Sequence, residues 1–496
     1  MMATTLTHGL PLSMLLHEIV SVPAVADRHI EDLTLDSREV RPGSCFIALA
    51  GQQDDGSRYA AQAITRGALA VVAERPLHDL RLDVPVLHSP RLRQHLGILA
   101  NRFFDTPSAS LKLCAVTGTN GKTTVAHLLA QAVEQMGETA GYIGTLGAGA
   151  LGQLASLANT TPDIITINRW LASCRARGCA TVALVASSHA LAQQRLEGLV
   201  IRAGAFTNLG HDHLDYHRTI ENYGAAKRRL FMQPALGAAV VNIDDVFGVE
   251  MARSLPSNLA VYTCSSHAAR ARLRADDIVA APTGMQFTLD IDGWRQPIAS
   301  RLVGRFNVDN LLTVCGLLLA AGYSRDAIVD ALPALRGVTG RAEECGQTAR
   351  GARVFIDYAH TPDSLAAILA TLRALAPRRI VVVFGCGGDR DRSKRPLMGA
   401  IAERDAERVI ITADNPRNES AVDIAAEICA GMSRPAAATV LIDRKLAIRA
   451  ALAQADDGDI VLIAGKGHER TQDSAGQLTA FSDHAQIAHA LGGDQP

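Results

Sequence analysis

The sequence predicts an α/β protein of three domains with largely parallel sheets. Of its 496 residues, 48% are hydrophobic but only 4% are aromatic, so its cores must rely on Ala, Val, Leu and Ile. Buried parallel strands and their covering helices use these residues. Residues 111–125 place a strand, a glycine loop and a helix in succession, and the last third alternates strands with helices. We therefore expect a central P-loop-type parallel-sheet domain and a doubly wound, Rossmann-like C-terminal domain.

Composition narrows the functional class. The formal net charge is −1, which gives no electrostatic basis for binding bulk nucleic acid or an anionic membrane. The nine cysteines are scattered without a C-x-x-C pair, which favours a reducing compartment over disulfides or a cysteine zinc site. The N-terminus lacks a signal-peptide pattern, and no apolar run is long enough to span a bilayer. We expect a cytoplasmic protein that binds neither nucleic acid nor membrane.

The first predicted domain covers residues 1–108 and is a small α/β unit. Residues 32–40 are predicted to form a strand that runs into a turn, residues 44–49 and 69–73 two further strands, and residues 59–67 a helix. Ser37 and Arg38 lie in the first of these stretches, where they either bind a ligand or simply cap a turn. The polar stretch DTPSAS at 105–110 is a plausible linker to the next domain.

The second predicted domain, residues 109–343, begins with the phosphate-loop signature GTNGKTT at 118–124. Backbone N–H groups of such a loop and the following helix N-terminus favour phosphate oxygens. Lys122 can then reach the β/γ-phosphates, and the Thr123 hydroxyl can bind Mg²⁺. The common P-loop has a further glycine where Val116 stands here. The alternative is a glycine turn with an incidental lysine.

Another strand of this domain opens into the run HDHLDYH at 211–217. Polar groups at the carboxyl ends of parallel strands are where α/β sheets bind ligands. His and Asp at this spacing can ligate a metal, although such a run can also be merely solvated. Residues 252–297 are expected to form an irregular β-rich excursion.

Three further side chains of the central domain require an explanation. Lys227 lies on the apolar side of a helix predicted at 223–231. A buried lysine either extends its amine to solvent or carries a modification, such as a CO₂-derived carbamate that can ligate a metal. Asn307 and Asn310 are one helical turn apart and can face one ligand, with helix capping as the alternative.

The third predicted domain, residues 344–496, alternates strands and helices. Its strands are predicted at residues 354–356, 380–384, 409–412, 440–442 and 460–464. Polar or glycine-rich loops follow each strand, and one of them carries Arg390, Arg392, Lys394 and Arg395. ATP-driven activation of a carboxylate, followed by attack of an amine on the acyl phosphate, would use every one of these parts.

The ordered motifs of the chain make this chemistry specific. They are DSREV, GTNGKTT, NTTPD, SSHAL, TNLGHDHLDYH, AAKRRLF, GRFNVDN, DYAHTPD, GCGGDRDRSKRP, DNPRNE and GKGHE. With these motifs the chain resembles the Mur ligase family, ATP-dependent amino-acid ligases of peptidoglycan synthesis, over essentially its whole length. Within the family it is most similar to the MurE type, which adds meso-diaminopimelate to UDP-N-acetylmuramoyl-L-alanyl-D-glutamate. The DNPR form is that type's marker for diaminopimelate.

The resemblance implies a set of binding residues. The UDP-sugar peptide would be held by Leu35, Ser37, Gln52, Gln53, Asp54, Asn159, Thr160, Thr161, Ser187, Gln193 and Arg195. ATP would be held by Gly118, Thr119, Asn120, Gly121, Lys122, Thr123, Thr124, Asn307, Arg341 and Asp357. Diaminopimelate would be held by Arg390, Asp414, Asn415, Pro416, Arg417, Gly465 and Glu469. Arg417 can grip the distal carboxylate, which lysine lacks.

The resemblance also implies cofactors and an assembly state. Mg²⁺ would be bound by Thr123, His213 and Lys227 as its carbamate, and Lys122, His213 and Lys227 would be the catalytic residues. The partners would be small molecules only, namely ATP, the UDP-sugar dipeptide and meso-diaminopimelate, and the protein would be a monomer.

Some positions depart from the family pattern. The strand before SSHAL ends in the family with a glutamate that helps to bind Mg²⁺, and the aligned residue here is Val185, which cannot ligate a metal. Thr339 and Ala342 replace a Pro and a Met beside the glycine–arginine motif, and both changes look tolerable. From Val185 we expect weaker Mg²⁺ binding and reduced turnover.

The departures leave alternatives. One is a weakly active or inactive ligase-fold binding protein, because of Val185. Another is a lysine-adding or folylpolyglutamate-synthase-like relative, against which the DNPR and DSREV motifs respectively argue.

Overall fold

The computed structural model describes residues 9–51, 55–77, 83–268, 270–281 and 284–492. The chain forms two compact units. The first unit comprises Met1–Val116, Met136–Gly204 and Arg229–Ala239, and the second comprises Thr117–Gln135, Ala205–Arg228 and Val240–Pro496. The domain boundaries expected after residues 108 and 343 stay a prediction.

The N-terminal part of the first unit contains a small parallel sheet. Its elements are β1 Leu10–Pro11, α1 Leu12–Leu15, β2 His29–Ile30, β3 Asp32–Thr34, β4 Ser44–Ala48, α2 Ala60–Thr65, β5 Ala70–Ala73, β6 Val86–His88 and α3 Leu92–Phe104. Strands β3, β4, β5 and β6 pair in this order and in parallel. Phe46 and Val71 of the sheet pack against Ala60 and Ala63 of α2, which confirms the predicted α/β character.

The central part of the chain contributes to both units. Its strands are β7 Lys112–Thr117, β8 Ala140–Gly144, β9 Gly147–Ala150, β10 Thr181–Val185, β11 Ala203–Phe206, β12 Ala238–Asn242, β13 Ala260–Ser265, β14 Leu273–Ala281, β15 Gly284–Ile291 and β16 Trp294–Ser300. Its helices are α4 Lys122–Gln135, α5 Ile164–Ala176, α6 Ser188–Ala192, α7 Leu214–His217, α8 Ile220–Arg228, α9 Val246–Ser254, α10 Arg305–Ala320 and α11 Arg325–Ala331. In the first unit, β10 pairs in parallel with β7 and β8, and β9 is antiparallel to β8.

The β-rich character expected over 252–297 is confirmed, but the expected irregularity is limited to a register shift in β14 between Asp276 and Val279. In the second unit β14, β15 and β16 form an antiparallel meander, and β13 pairs in parallel with β14. The inner face buries apolar residues such as Phe287 and Leu289, and α10 packs against β13 and β14. Charged residues such as Arg295 and Asp276 pair on the opposite face, and the register of β14 shifts between Asp276 and Val279, which breaks the alternation in the sequence.

The C-terminal part of the second unit is a doubly wound sheet. Its elements are β17 Glu343–Gln347, β18 Arg353–Asp357, α12 Pro362–Arg373, β19 Arg379–Phe384, α13 Lys394–Asp405, β20 Arg408–Ile411, α14 Ala421–Cys429, β21 Thr439–Val440, α15 Arg444–Gln454, β22 Asp459–Ala464, β23 Thr471–Ser474, β24 Gln477–Ala480 and α16 Asp483–Ala490. The sheet order is β17-β18-β22-β19-β20-β21, and only β17 pairs antiparallel to its neighbour.

Helices cover both faces of this sheet, as predicted. Leu369 of α12 and Met398 of α13 pack on one face, whereas Ile448 of α15 and Ile487 of α16 pack on the other. Because β18, β19, β20 and β22 are parallel, their following loops emerge at one edge, where α/β sheets bind ligands. Within the part of the chain that the structure describes, no helix has both the length and the apolar character needed to cross a membrane.

Candidate active site

The phosphate loop joins β7 to α4 and requires glycine at two positions. Gly118 has φ +148°, and a Cβ there would overlap the Thr207 hydroxyl. Gly121 has φ +84°, and a Cβ there would lie 2.6 Å from Asn310 Oδ1. Only glycine combines these backbone angles with so little space. The two close contacts bring the loop against the strand end at Thr207 and against α10.

The segment after β11 braces this loop through hydrogen bonds. The Thr119 amide donates to the Asn208 carbonyl at 2.8 Å, and the Asn120 amide donates to Asn208 Oδ1 at 2.9 Å. The Thr207 hydroxyl donates to the Asn120 carbonyl at 2.6 Å. These amides are therefore engaged by protein, and the amides in the first turn of α4 are the natural donors to phosphate oxygens.

Lys122 folds back over the loop in this structure. Its Nζ donates to the carbonyls of Gly118 and Thr119, at 2.9 and 2.7 Å. Burial lowers the pKa of Lys122 to about 8, against the opposing effect of the Asp212 carboxylate. A bound phosphate would offer this amine a stronger, charged acceptor than the two carbonyls.

Lys227 lies on α8 and is fully buried, so the interpretation that its amine reaches solvent is wrong. Its Nζ donates to the Gly118 carbonyl at 2.7 Å and lies 3.8 Å from the centre of the Tyr223 ring. Burial, followed by the nearby charge of Lys122, lowers the pKa of Lys227 well below its ordinary value. The uncharged amine is the form that reacts with CO₂, and the lowered pKa favours that form. Whether Lys227 carries a carbamate stays a prediction.

The structure brings three of the predicted nucleotide residues together at the start of α4. Arg341 Nη2 lies 3.4 Å from the Thr123 hydroxyl, and its guanidinium lies 4.2 Å from the centre of the Tyr358 ring. The Asp357 carboxylate accepts the Ala342 amide at 2.6 Å, and burial raises its pKa despite the Arg341 charge. Among the described residues, the buried Nε of Arg341 has no hydrogen-bond partner, as expected of a donor that awaits a ligand.

Asn307 and Asn310 lie buried in the first half of α10. Asn307 Nδ2 donates to the Val303 carbonyl at 2.8 Å, and Asn310 Nδ2 donates to Asn307 Oδ1 at 3.0 Å. Gly304 is the N-cap residue of the helix, so neither asparagine caps it. Asn310 instead fills the space beside Gly121 of the phosphate loop.

The run at 211–217 separates into distinct environments. His213 precedes α7 with a left-handed backbone (φ 56°), and its Nε2 lies 3.4 Å from Asp212 Oδ2. His211 is exposed, whereas His217 is buried against the Tyr223 ring. Burial would raise the pKa of Asp212, but the Lys394 charge and a hydrogen bond from His360 outweigh it and hold the pKa well below its ordinary value.

The donor atoms of the predicted Mg²⁺ site fit the ion only in part. Mg²⁺ prefers oxygen ligands, and Thr123 offers a hydroxyl, whereas Lys227 as an amine offers none. A carbamate on Lys227 would supply two oxygens. Among the described residues, the one group of three metal-ligating side chains is Glu343, Cys345 and His484, which is not the predicted set. The ligands Thr123, His213 and Lys227 stay a prediction.

The predicted amino-acid residues meet at the edge of the C-terminal sheet. Asn415 Nδ2 donates to Glu469 Oε2 at 2.8 Å, and Arg417 Nη1 donates to the Gly388 carbonyl at 2.7 Å. A Cβ on Gly465 would lie 2.5 Å from Asp414 Oδ2. These contacts place carboxylates, an amide and a guanidinium in one wall at this edge of the sheet.

Gly387 separates the two predicted arginines. A Cβ on Gly387 would lie 2.9 Å from Arg417 Nη1 and 3.6 Å from Arg390 Cγ. Both guanidinium-bearing side chains therefore pass close to this glycine, with Arg390 itself exposed.

Sequence reasoning missed Lys466, which lies inside the GKGHE motif. Its fully buried Nζ donates to Asn415 Oδ1 at 2.9 Å and to Glu469 Oε2 at 2.7 Å. Burial raises the pKa of Asp414, while the Lys466 charge outweighs the burial of Glu469 and lowers the pKa of that carboxyl. A lysine between two predicted ligand residues was the available signal.

The cationic loop 390–395 is largely neutralised within the protein. Arg392 pairs with Glu427, and Arg395 is fully buried between Glu419 and Glu427. Lys394 pairs with Asp212 at 3.2 Å. Of the four cations, these three are engaged structurally, so the loop carries less free positive charge than its composition indicates.

The first unit contains a cavity of about 1350 Å³ beside β3 and α5. Leu35, Ser37 and Asn159 line it, as expected of the UDP-sugar residues, together with Arg38 and Arg169. The Ser37 hydroxyl donates to Gln62 Oε1 at 2.8 Å, whereas Arg38 pairs with Asp36. The predicted residues Gln52, Gln53 and Asp54 lie outside the described residues.

The other predicted UDP-sugar residues form a connected group. The Thr161 hydroxyl donates to the Val185 carbonyl at 2.7 Å and to the Ser187 hydroxyl at 3.0 Å. Arg195 donates to the Thr161 carbonyl at 2.6 Å and to Gln193 Oε1. Thr160 accepts from the Thr145 hydroxyl at 3.4 Å. The Val185 carbonyl, by accepting this hydrogen bond, holds Thr161 in place, and the Val185 side chain is fully buried.

Family models match three consecutive stretches of the chain. Residues 29–104 match the Mur ligase family, catalytic domain, residues 116–318 match the Mur ligase middle domain, and residues 340–467 match the Mur ligase, glutamate ligase domain. These matches agree with the expected three-domain architecture.

Two curated relatives are each named UDP-N-acetylmuramoyl-L-alanyl-D-glutamate–2,6-diaminopimelate ligase. The relative from Xanthomonas campestris pv. campestris is 44% identical over 98% of both chains. The relative from Pseudomonas aeruginosa is 42% identical over 94% of this chain and 96% of its own. A solved structure whose name is that of the same ligase is 35% identical, with a TM-score of 0.68 over 98% of this chain and 99% of its own. Since these proteins are named as ligases, they do not favour the binding-protein alternative. Because the identity extends over nearly the whole length of both chains, and all three family models match in order, the chain belongs to the Mur ligase family.

Proposed function

We propose that the chain is an ATP-dependent ligase that adds meso-diaminopimelate to the D-glutamate of UDP-N-acetylmuramoyl-L-alanyl-D-glutamate. One observation carries the proposal: the second unit contains both a phosphate loop and a wall of Arg417, Asn415 and Glu469. A simple ATPase would have no use for that wall. The family membership and the names of the relatives support the same reaction.

The first step is transfer of the γ-phosphoryl group to a carboxylate. A carboxylate oxygen of the UDP-sugar dipeptide attacks the γ-phosphorus, the bond to the bridging oxygen breaks, and ADP leaves. Lys122 turns from the loop carbonyls to the phosphates, and the Arg341 guanidinium lies beside Thr123, where it can also contact a phosphate. Mg²⁺, bound through oxygen ligands such as the Thr123 hydroxyl, would supply charge neutralisation at the phosphates.

The second step is attack of the amine on the acyl phosphate. The amine nitrogen bonds to the carbonyl carbon, the carbon–oxygen bond to phosphate breaks, and a proton leaves the nitrogen to solvent. Glu469 and Asp414 would receive the second ammonium group, while Arg417 and Arg390 would bind the distal carboxylate. L-Lysine lacks that carboxylate, so the arginines would discriminate against it.

Phosphate release tests this assignment. With ATP, Mg²⁺ and UDP-N-acetylmuramoyl-L-alanyl-D-glutamate, we expect phosphate release with meso-diaminopimelate, much less with L-lysine, and none without an amine. Lys122→Met should abolish the reaction and serves as the negative control. Release with L-lysine alone would make the chain a lysine-adding relative, and no release with either amine would overturn the ligase assignment.

A carbamate on Lys227 belongs to the same proposal. The buried amine with its lowered pKa beside Lys122 favours a group that carries negative charge there. We expect ¹³CO₂ to give a carbamate signal in the ¹³C NMR spectrum of the protein. That signal should be lost in Lys227→Ala and retained in Lys445→Ala, where the lysine is exposed. An identical spectrum for the two variants would exclude modification of Lys227.

The proposal extends to the setting of the enzyme. The substrates are small molecules, and we expect a cytoplasmic monomer. Sedimentation velocity with and without the substrates tests the monomer.

A further inference from the structure

Asp212 is a buried carboxylate that contacts a lysine and two histidines from separate parts of the second unit. Its Oδ1 lies 3.2 Å from Lys394 Nζ. Its Oδ2 lies 3.4 Å from Nε2 of His360 and 3.4 Å from Nε2 of His213. Asp212 and Lys394 are each 3% exposed, so their ion pair is almost completely removed from water.

The pair joins two loops of different function. Asp212 belongs to the segment after β11, which braces the phosphate loop through Asn208. Lys394 is the first residue of α13 and directly follows the loop 385–393. That loop carries Arg390 and the Gly388 carbonyl, which accepts a hydrogen bond from Arg417. The pair therefore links the side of the site that holds phosphate to the side that holds the amino acid.

Neighbouring contacts show that Lys394 is directed differently from the next residue. Arg395 turns into its own domain, where it is fully buried between Glu419 and Glu427. Lys394 instead reaches the segment that contains Asp212. Arg395 thus anchors the loop within its own domain, at α14 and the segment before it, and Lys394 connects the loop to the phosphate side.

A buried ion pair often adds little to the stability of a fold. Desolvation of both charges offsets much of their attraction, and a well-packed apolar pair is often equally stable. A pair of this kind is better explained by the geometry it enforces. The geometry enforced here is the distance between the amino-acid loop and the phosphate loop.

We propose that Lys394 and Asp212 are positioning residues that set the loop 385–393 in register with the phosphate loop for attack of the amine. The inference rests on the proposed ligase function and deepens it. Transfer of the γ-phosphoryl group does not need the amino-acid loop, whereas attack of the amine nitrogen on the carbonyl carbon does. A shift of about 1 Å in such a geometry can cost about 100-fold in rate.

Two measurements separate the two steps. Positional isotope exchange in ATP labelled with ¹⁸O at the β,γ-bridge, with the UDP-sugar dipeptide and no amine, reports reversible acyl-phosphate formation. Phosphate release with saturating diaminopimelate reports the complete reaction. We expect Lys394→Met to lower kcat by about 10- to 100-fold while the isotope-exchange rate stays within about twofold of wild type.

Three further variants sharpen the test. Lys394→Arg keeps the charge and should restore part of the rate, which a merely space-filling role would not predict. Lys445→Met removes an exposed lysine of the same C-terminal part and should change neither measurement. The double variant Asp212→Asn/Lys394→Met should turn over diaminopimelate no more slowly than the slower single variant, because the two residues act as one pair.

Two results would overturn the assignment of Lys394 as a positioning residue. Equal losses of isotope exchange and of kcat in Lys394→Met would place Lys394 in nucleotide chemistry and overturn the inference, as would an unchanged kcat. If Lys394→Met does not fold, the same comparison is made with Lys394→Arg and Lys394→Gln. Failure of the wild-type protein to release phosphate with any amine would overturn the proposed function instead, so the two failures are distinguishable.

Discussion

At the scale of single residues, the burial of Lys122 predicts that ATP binding depends on pH. Its pKa of about 8 means that the charged form is lost as the pH rises through that value. Bound phosphate favours the charged form, so ATP affinity should weaken by up to about tenfold per pH unit above about pH 8. Calorimetric titration of ATP from about pH 7 to about pH 9.5 checks this, since proton uptake on binding should also appear near pH 8.

The control for this prediction is the variant that keeps a permanent charge. Lys122→Arg binds more weakly overall but should lose the pH dependence, because an arginine stays protonated throughout the range. An ATP affinity that is flat across the same range in the wild-type protein would show that Lys122 stays charged.

Val185 supports a second prediction at this scale. Its side chain is fully buried at the end of β10, so a glutamate there without a cation would leave a buried, unpaired carboxylate. We expect Val185→Glu to destabilise the protein by about 2 kcal/mol or more without Mg²⁺. We also expect it to lower the Mg²⁺ concentration needed for half-maximal phosphate release, as the family resemblance implies for a glutamate at this position in the sequence.

Val185→Gln is the matched control, since it has the same size without the charge. It should be destabilised similarly but gain nothing in Mg²⁺ dependence. If the glutamate variant shows the Mg²⁺ dependence of the wild-type protein, Val185 does not weaken the metal site.

At the scale of elements, the loop after β19 illustrates how backbone packing governs a binding group. Gly387 does not have a left-handed backbone, so alanine fits its conformation, but the added Cβ would press on Arg417 Nη1 at 2.9 Å. Arg417 must then shift, and we expect the KM for diaminopimelate to rise by about tenfold. The KM for ATP should stay unchanged, which steady-state kinetics with each substrate varied will show.

Gly337→Ala is a suitable control, because a Cβ there meets nothing within 4 Å and the backbone angle permits alanine. It should leave both KM values as they are. A rise in the KM for ATP in Gly387→Ala would mean that the loop serves the nucleotide rather than the amino acid.

Helices and strands were predicted best where their burial produces one clear hydrophobic pattern in the sequence. The inner strands β18, β19 and β22 of the C-terminal sheet are buried on both faces, so they appear as short apolar runs such as residues 380–384, and each was found within a few residues. The meander β14–β16 was predicted to be rich in strand but not to be ordered hairpins, because the register shift between Asp276 and Val279 breaks the apolar alternation of β14 in the sequence. The edge strand β17 and the hairpin β23–β24 are short and exposed, so they carry almost no pattern.

At the scale of the whole molecule, the binding residues divide between the two compact units. The cavity beside β3 and α5 belongs to the first unit, whereas the phosphate loop and the amino-acid wall belong to the second. Each ligand should therefore stabilise its own unit first.

Hydrogen exchange measures this division. We expect the UDP-sugar dipeptide to protect amides at residues 34–38 and near Thr161, and ATP to protect amides at residues 118–124 and 207–210. Amide exchange is measured for the protein with each ligand separately and is compared with exchange in the protein without ligand. Equal protection of residues 34–38 by ATP would contradict a division of the ligands between the units.

Contiguous stretches of sequence were enough to predict the chemistry that depends on local order. The strand, glycine loop and helix around Lys122, the doubly wound C-terminal sheet and the ordered family motifs all lie in contiguous stretches, and local periodicity and turn residues specify them. Which side chains meet depends instead on tertiary packing. The contact of Lys227 with Gly118, the place of Lys466 between Asn415 and Glu469, and the pair of Asp212 with Lys394 each join residues remote in sequence or hidden within a motif. Burial and pairing of such groups follow from how the whole chain packs, because desolvation and charge act through space rather than along the chain.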